Sequence, residues 1–201
     1  MADLIVLSLE RWDDVWRRNQ YLVDGLLRLD PDLRVLFVEP PDDPLHDVRS
    51  RRRPSMGARP AMIADRLWRF RPVKWLPRRV DPAADARMAR ATRQAAASLG
   101  MHDPVLWVND PASIDLARQT GWPVLYDMTD DWTAADRPAI ERERIVGGER
   151  WLLENAATVV ACSAELQRRK ATVRPDVILV RNGVDSARYL TPRQRPEDLP
   201  N

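Results

Sequence analysis

The sequence predicts an α/β fold, a Rossmann-like parallel sheet with helices on both faces. Short apolar runs alternate with segments of helical periodicity along most of the chain, the pattern of strands buried between two helical layers. Gly, Pro and Asp fall mainly between these runs, where they punctuate loops. With 201 residues the chain fits one large domain, and no internal repeat divides it.

Each element follows from local pattern. Leu4-Ile-Val-Leu-Ser-Leu9 reads as a buried strand. Trp16 to Leu29 is an amphipathic helix with Leu22, Val23, Leu26, Leu27 and Leu29 towards one side. Arg34-Val-Leu-Phe-Val38 is a second strand, stopped by Glu39-Pro40-Pro41. A charged loop follows, and Arg66-Leu-Trp-Arg-Phe-Arg71 then alternates with period two, as a half-exposed strand does. Asp81-Pro82 supplies a cap and a first-turn proline for a helix running to about Leu99 and ended by Gly100. Val105-Leu-Trp-Val108 is a strand, Pro111 to Gln119 a short helix closed by Gly121, and Val124-Leu-Tyr126 the next strand. Pro138 to Asn155 is a long helix whose middle Gly147-Gly148 weakens. Thr158-Val-Val-Ala-Cys162 is a strand, Ser163 caps a short helix, and Val177-Ile-Leu-Val180 closes the series.

In a parallel sheet of this kind ligands sit beyond the carboxyl ends of the strands, so the segments just after each strand are the ones to read. Several chemistries are already excluded there. No G-x-G-x-x-G follows the first strand, which argues against a dinucleotide-binding enzyme. No Cys/His cluster suggests zinc, and neither histidine lies where a Ser–His–Asp site is expected.

Apolar residues make up 44% and charged residues 31% of the chain, with a net charge of +2, values of an ordinary globular protein. The charge is uneven. Arg49, Arg51, Arg52, Arg53, Arg59, Arg66, Arg69, Arg71, Lys74, Arg78 and Arg79 are opposed in their segment only by Asp65. A nucleic-acid binder is not the favoured reading, because this charge is local and is balanced elsewhere. The lone Cys162 has apolar neighbours, as a buried thiol in a reducing cytoplasm has. The start is too short and acidic for a signal peptide, and no apolar run reaches membrane-spanning length. The expected location is cytoplasmic, with peripheral contact to the inner membrane face as a further expectation.

The last third carries the strongest motif. Glu149-Arg-Trp-Leu-Leu-Glu154 leads into Ala157-Thr-Val-Val-Ala-Cys-Ser-Ala-Glu-Leu166, then Val177-Ile-Leu-Val-Arg-Asn-Gly-Val-Asp185, with Tyr189 four residues later. This ordered string resembles the retaining, GT-B-type glycosyltransferases of family 4: a Glu-bearing helix, a strand ending in Ser and a short helix, then a strand ending in Asn-Gly-Val-Asp and an aromatic. The family usually has Ala-Asp where Ala157-Thr158 stand, and often Phe at the position of Tyr189. The resemblance covers the N-terminal, acceptor-side half, expected over residues 1–190. Residues 191–201 read as a linker or frayed tail, and the donor-binding half is expected to be absent.

That resemblance implies site residues. Tyr126-Asp-Met-Thr-Asp-Asp-Trp132 matches a cleft-facing loop that commonly carries an acid. Asp130 and Asp131 are the expected catalytic pair, orienting an acceptor hydroxyl and assisting its deprotonation; the plainer reading is that one caps the following helix. A DxD metal site does not match their spacing from Asp127, and no metal is expected. Asn109 and Asp110 stand where many members place a His near the transferred sugar, and Asp110 is equally a helix N-cap. The first loop lacks the family's glycines. Arg17, Arg18 and Asn19 are the expected donors in their place, and Trp12 or Trp16 a stacking surface for a sugar, unless the rings are core. Asn182 is either part of the cleft or only a strand-ending turn with Gly183. Glu149 reads as a solvated helix residue. Arg51, Arg52, Arg53, Trp68 and Trp75 interleave charge with aromatics as an anionic membrane surface requires, or form an ordinary solvated loop.

The resemblance therefore implies a glycosyltransferase half that uses a nucleotide-sugar, UDP- or GDP-linked, as co-substrate and binds no cofactor itself. Its expected partners are a glycan or lipid-linked acceptor, a donor-domain polypeptide and an anionic membrane surface. Transfer by the chain alone is expected to be poor, because the cleft between two domains holds both substrates in register. The other reading, from a different class, is a non-catalytic scaffold for a membrane-associated glycan-synthesis partner.

Overall fold

A computed structural model describes residues 2–54, 57, 59–186 and 190; Tyr189 and the expected tail lie outside them. The described strands are β1 (Ala2–Leu7), β2 (Leu33–Val38), β3 (Ala61–Ala64), β4 (Leu67–Phe70), β5 (Val105–Val108), β6 (Val124–Met128), β7 (Thr158–Ala161) and β8 (Ile178–Leu179). Between them lie α1 (Arg18–Leu29), α2 (Pro44–Arg49), α3 (Ala84–Ser98), α4 (Asp115–Thr120), α5 (Ala139–Asn155) and α6 (Ala164–Lys170), with a 3₁₀ turn at Pro111–Ser113.

One sheet contains all eight strands in the order β3-β4-β2-β1-β5-β6-β7-β8. Every pairing is parallel except the β3–β4 hairpin. The chain leaves β1 towards β2 and β4, then returns to β5 on the other side. The order therefore reverses between β1 and β5, and in an open α/β sheet that reversal opens a crevice at the carboxyl ends.

Strand alternation sorts the core onto two faces. Ile5, Leu36, Val38, Leu106, Val108, Tyr126 and Met128 join Ala95 and Ala96 of α3, Leu116 of α4 and Leu152 of α5 in the larger cluster. Leu4, Val6, Val35, Phe37 and Trp107 meet Val23 and Leu27 of α1 in the smaller one. Period two thus turns Tyr126 towards α5 and its neighbour Asp127 towards α1.

Most elements fall where the sequence places them. Asp81-Pro82 does not start α3, which begins at Ala84 with Ala83 as N-cap, and the charged loop before β4 holds α2 and the edge strand β3. Asp43 starts α2 by accepting from His46 N at 3.0 Å, with Pro44 following as first-turn proline. The hairpin turns at Arg66, whose φ is +58°. Its guanidinium donates to the carbonyls of Leu27, Asp30 and Leu33 at 2.8–3.1 Å, satisfying carbonyls at the end of α1. Gly148 in α5 is a site of close approach rather than a weak point. A Cβ there would overlap the Pro111 carbonyl oxygen, so α5 and the 3₁₀ turn pack backbone to backbone.

Candidate functional site at the carboxyl ends of the strands

Asp127 is the penultimate residue of β6, inside an otherwise apolar run, with 1% of its side chain exposed. A buried carboxylate needs partners, and it has them. Arg18 Nε and Nη2, from the first turn of α1, donate to its two oxygens at 2.9 Å each. Trp107 Nε1 donates at 3.2 Å from β5. Asn109 Nδ2 donates to the Asp127 carbonyl at 3.1 Å. The remaining arm of Arg18, Nη1, donates to Asn182 Oδ1 at 3.0 Å. One guanidinium therefore ties the head of α1 to the ends of β6 and β8 in fork geometry.

At the strand-order reversal itself stand Ser8, Asn19 and Asn109, all buried. Asn19 Nδ2 donates to Asn109 Oδ1 at 2.8 Å and to Ser8 Oγ at 3.2 Å. Asn19 Oδ1 is buried without a hydrogen-bond partner. A buried acceptor left in that state favours any hydroxyl or amine that reaches it.

Among the expected site residues, the structure brings Arg18, Asn19, Asn109 and Asn182 together around Asp127. Arg17 stands at the N-cap of α1 and, lacking an acceptor, cannot satisfy the free N–H groups there; instead Arg17 N donates to Gln20 Oε1 at 3.1 Å. The Arg17 guanidinium lies 3.5 Å from both Glu10 and Asp13. Trp12 is half-buried, its ring 4.9 Å from Phe37 and 5.8 Å from Trp16, edge to face. Asp110 takes the capping geometry: its carboxylate accepts from Ala112 N at 2.7 Å and from Ser113 Oγ at 3.3 Å.

Asp130 and Asp131 differ in setting. Asp131 is held by Arg169 at 2.5 Å and Lys170 at 3.6 Å and accepts from Thr133 Oγ1 at 3.1 Å. Asp130 is exposed, and among the described residues its hydrogen-bond partner is the Thr129 hydroxyl at 3.4 Å. Neither caps the next helix, whose N-cap is Pro138. Burial pushes the Glu10 carboxyl up; Arg17 opposes this, while Asp13 and Asp130 add to it. The loops after β1 and β6 therefore share one electrostatic field.

Beneath the Asp131 loop, Glu149 is buried, contrary to its reading as a solvated residue. Lys170 Nζ lies 2.6 Å from its Oε2, and Tyr126 Oη donates to its Oε1 at 3.4 Å. Burial, followed by the neighbouring Glu149, holds the Tyr126 phenol well above its ordinary range. Cys162 is half-buried rather than part of the closed core, its thiol donating to the Thr129 carbonyl at 3.1 Å.

In the basic segment, Arg51, Arg52 and Arg53 are exposed and Trp75 is 52% exposed. Trp68 instead packs against the larger core. Two residues that the sequence reading passed over are central: Asp127 and Glu39. An acid within or immediately after an apolar strand is a usable signal, since it is rarely buried unpaired. Glu39 accepts from Trp12 N at 2.8 Å and pairs with Arg71 at 2.7 Å. Among the described residues, no group of three or more His, Cys, Asp or Glu side chains is placed to hold a metal ion, and no helix is long and apolar enough to cross a membrane.

The mainly parallel sheet with helices on both faces forms a Rossmann-like α/β fold, the kind that makes up one half of a GT-B architecture. Comparison with solved structures bears on the same fold. A sucrose-phosphate synthase chain from Thermosynechococcus elongatus superposes with a TM-score of 0.55 at 16% identity, over 94% of this chain and 93% of that one. A UGT transferase from Siraitia grosvenorii, solved in complex with UDP, gives a TM-score of 0.57 at 14% identity, over 90% of this chain but 50% of its own length. No protein-family model and no curated protein sequence matches the chain.

Proposed function

We propose that this domain, over residues 1–190, forms the acceptor side of a retaining glycosyltransferase cleft. The observation that carries the reading is the Arg18–Asp127–Asn182 junction, which joins the head of α1 to the ends of β6 and β8 beside the crevice where ligands of such sheets sit. Asp130 is the acid that meets the acceptor hydroxyl, because its carboxylate is exposed at the same edge. Asp131, engaged by Arg169 and Lys170, holds the loop that presents it. The donor is a UDP- or GDP-sugar whose phosphates are gripped by a second, donor-binding domain, in this polypeptide or another. The acceptor is a glycan or a lipid-linked sugar, and Arg51, Arg52, Arg53 and Trp75 rest against the anionic membrane surface that carries the lipid.

The test is sugar transfer by the purified chain, with and without a donor-binding domain, across a panel of UDP- and GDP-sugars. Transfer is expected only with that domain, and Asp130→Asn is expected to lower it by about 10²–10⁴-fold, the usual worth of a general base. No transfer in either arm, or full activity of Asp130→Asn, overturns the assignment. Sedimentation with anionic vesicles tests the membrane face. At about 1 kcal/mol per basic residue, reversing Arg51, Arg52 and Arg53 is expected to weaken binding at least ~100-fold.

A further inference from the structure

Apolar side chains scattered singly over a surface are normal. Trp75, Leu76 and Val80 are not scattered: they lie within six consecutive residues and are 52%, 43% and 67% exposed. They occupy the segment that leaves β4 at its carboxyl end, the side of the sheet on which the crevice opens. That segment is firmly held. Asp42 N donates to the Pro72 carbonyl at 2.9 Å, and Lys74 N to the Asp42 carbonyl at 2.8 Å. Lys74 Nζ pairs with Asp43 at 2.7 Å. Val80 N and Asp81 N both donate to the Pro77 carbonyl, at 2.8 and 3.0 Å, and close a tight turn. Pro72, Pro77 and Pro82 fix further backbone angles. An apolar tip held in this way loses little conformational freedom when it is covered.

Positive charge is fastened to the root of this turn. The chain meets Val73 at Asp42, its bridge partner, and again at Gly57, where a Cβ would overlap the Val73 side chain. Between these two contacts it carries Val48, 60% exposed, and Arg49, Arg51, Arg52 and Arg53, all exposed. On the turn itself Arg79 is exposed as well. None of these five arginines has a carboxylate partner among the described residues. The acids nearby are engaged elsewhere: Asp42 by Arg11 and Arg71, Asp43 by Lys74, Asp81 by Arg87, and Asp85 by Arg78 and Arg144. Asp47, half-buried in α2, has contacts of its own. An apolar tip flanked by uncompensated cations matches a bilayer whose acyl layer lies beneath anionic headgroups. Nucleic acid would use the arginines but offers nothing to Leu76 and Val80.

We infer that Trp75, Leu76 and Val80 form a wedge that enters the acyl boundary of an anionic bilayer, with the arginines beside it held at the headgroups. The inference deepens the membrane contact proposed above, from adsorption by charge to insertion, and does not depend on sugar transfer. It is tested by co-sedimentation of the purified chain with vesicles of phosphatidylcholine alone and of phosphatidylcholine with phosphatidylglycerol, prepared with and without brominated acyl chains. Binding is expected to the mixed vesicles, with tryptophan fluorescence quenched by the bromines. Trp75→Phe is expected to keep the binding and remove most of that quench. Leu76→Ser combined with Val80→Ser is expected to weaken binding about tenfold. Both positions are exposed, so the double variant is expected to melt with the wild type by circular dichroism. At about 1 M salt, where the screening length falls to about 3 Å, the wild type is expected to retain a residual binding that the double variant loses. Bound protein without acyl quenching, a quench indifferent to Trp75, or wild-type affinity in the double variant overturns the wedge and leaves the arginine contact standing. No binding to either kind of vesicle overturns both.

Discussion

Replacing each of the two adjacent glycines of α5 by alanine is expected to move stability in opposite directions. A Cβ at Gly147 meets nothing within 4 Å. Gly147→Ala then only removes backbone freedom from the unfolded chain and improves helix propensity, worth about 0.4–1 kcal/mol. For a chain of 150–250 residues that corresponds to a rise in Tm of about 1–4 °C. At Gly148 the same Cβ overlaps the Pro111 carbonyl oxygen and lies 2.9 Å from its carbonyl carbon. These are backbone atoms that no rotamer change can move, so α5 must separate from the 3₁₀ turn. Overpacking of this kind costs about 1–3 kcal/mol, and the upper end applies where backbone is the obstacle. After the propensity gain, the net loss is about 2–2.6 kcal/mol, a fall of about 4–10 °C. Thermal melts followed by circular dichroism measure both. Equal shifts of the same sign would refute the claim that Gly148 is kept for packing.

Asp127→Asn leaves Arg18 buried without its countercharge and is expected to cost about 3–5 kcal/mol, read as a lower urea midpoint at unchanged slope; a loss below 1 kcal/mol would mean that the pair is not desolvated. Arg18→Lys keeps the charge but loses the fork that spans Asp127 and Asn182, and is expected to cost about 1.5–3 kcal/mol where a merely electrostatic role would cost little. The Tyr126 phenol, raised by burial and by Glu149, holds its proton more tightly folded than unfolded. Its contribution to stability is therefore complete below the ordinary phenol pKa of about 10 and is lost as pH rises beyond it. Tyr126→Phe is expected to flatten that alkaline loss in melts taken across the range.

The central strands were legible because burial on both faces writes itself as an apolar run. Val105-Leu-Trp-Val108 is β5 to the residue. The edge hairpin was not, for the opposite reason. In β3, Ala61, Met62 and Ala64 are exposed, so nothing in their side chains marks a strand, and the pairing with β4 comes from main-chain hydrogen bonds. Arg66 was read as a strand residue but is the turn, held by carbonyls of α1 and β2 that are more than 30 positions away in sequence. Glu149 was misread because helix position alone does not disclose a lysine 21 residues later that reaches 2.6 Å from its carboxylate. Asp127 was in plain view as an acid within β6. Its partner Arg18 carries a different signal in the sequence, the misfit of a cation at a helix start.

That misfit now has a physical account. A cation at the positive end of a helix is unfavourable unless a nearby carboxylate outweighs the dipole, which contributes only about 0.3–1 kcal/mol. Asp127, bonded to two guanidinium nitrogens in a buried setting, does so. Glycine-rich loops hold ligands with backbone N–H groups that approach because no side chain intervenes. Here the loop from Glu10 to Arg17 has no glycine, and the Arg18 guanidinium that follows it is directed by Asp127 of β6. Of its five N–H donors, two are spent on Asp127 and one on Asn182, which leaves two. The ion pair to Asp127 fixes the head of α1, and the contact to Asn182 ties the segment after β8 to that same group. Any ligand that draws on the free donors of Arg18 therefore acts on the head of α1 and on the chain leaving β8 together.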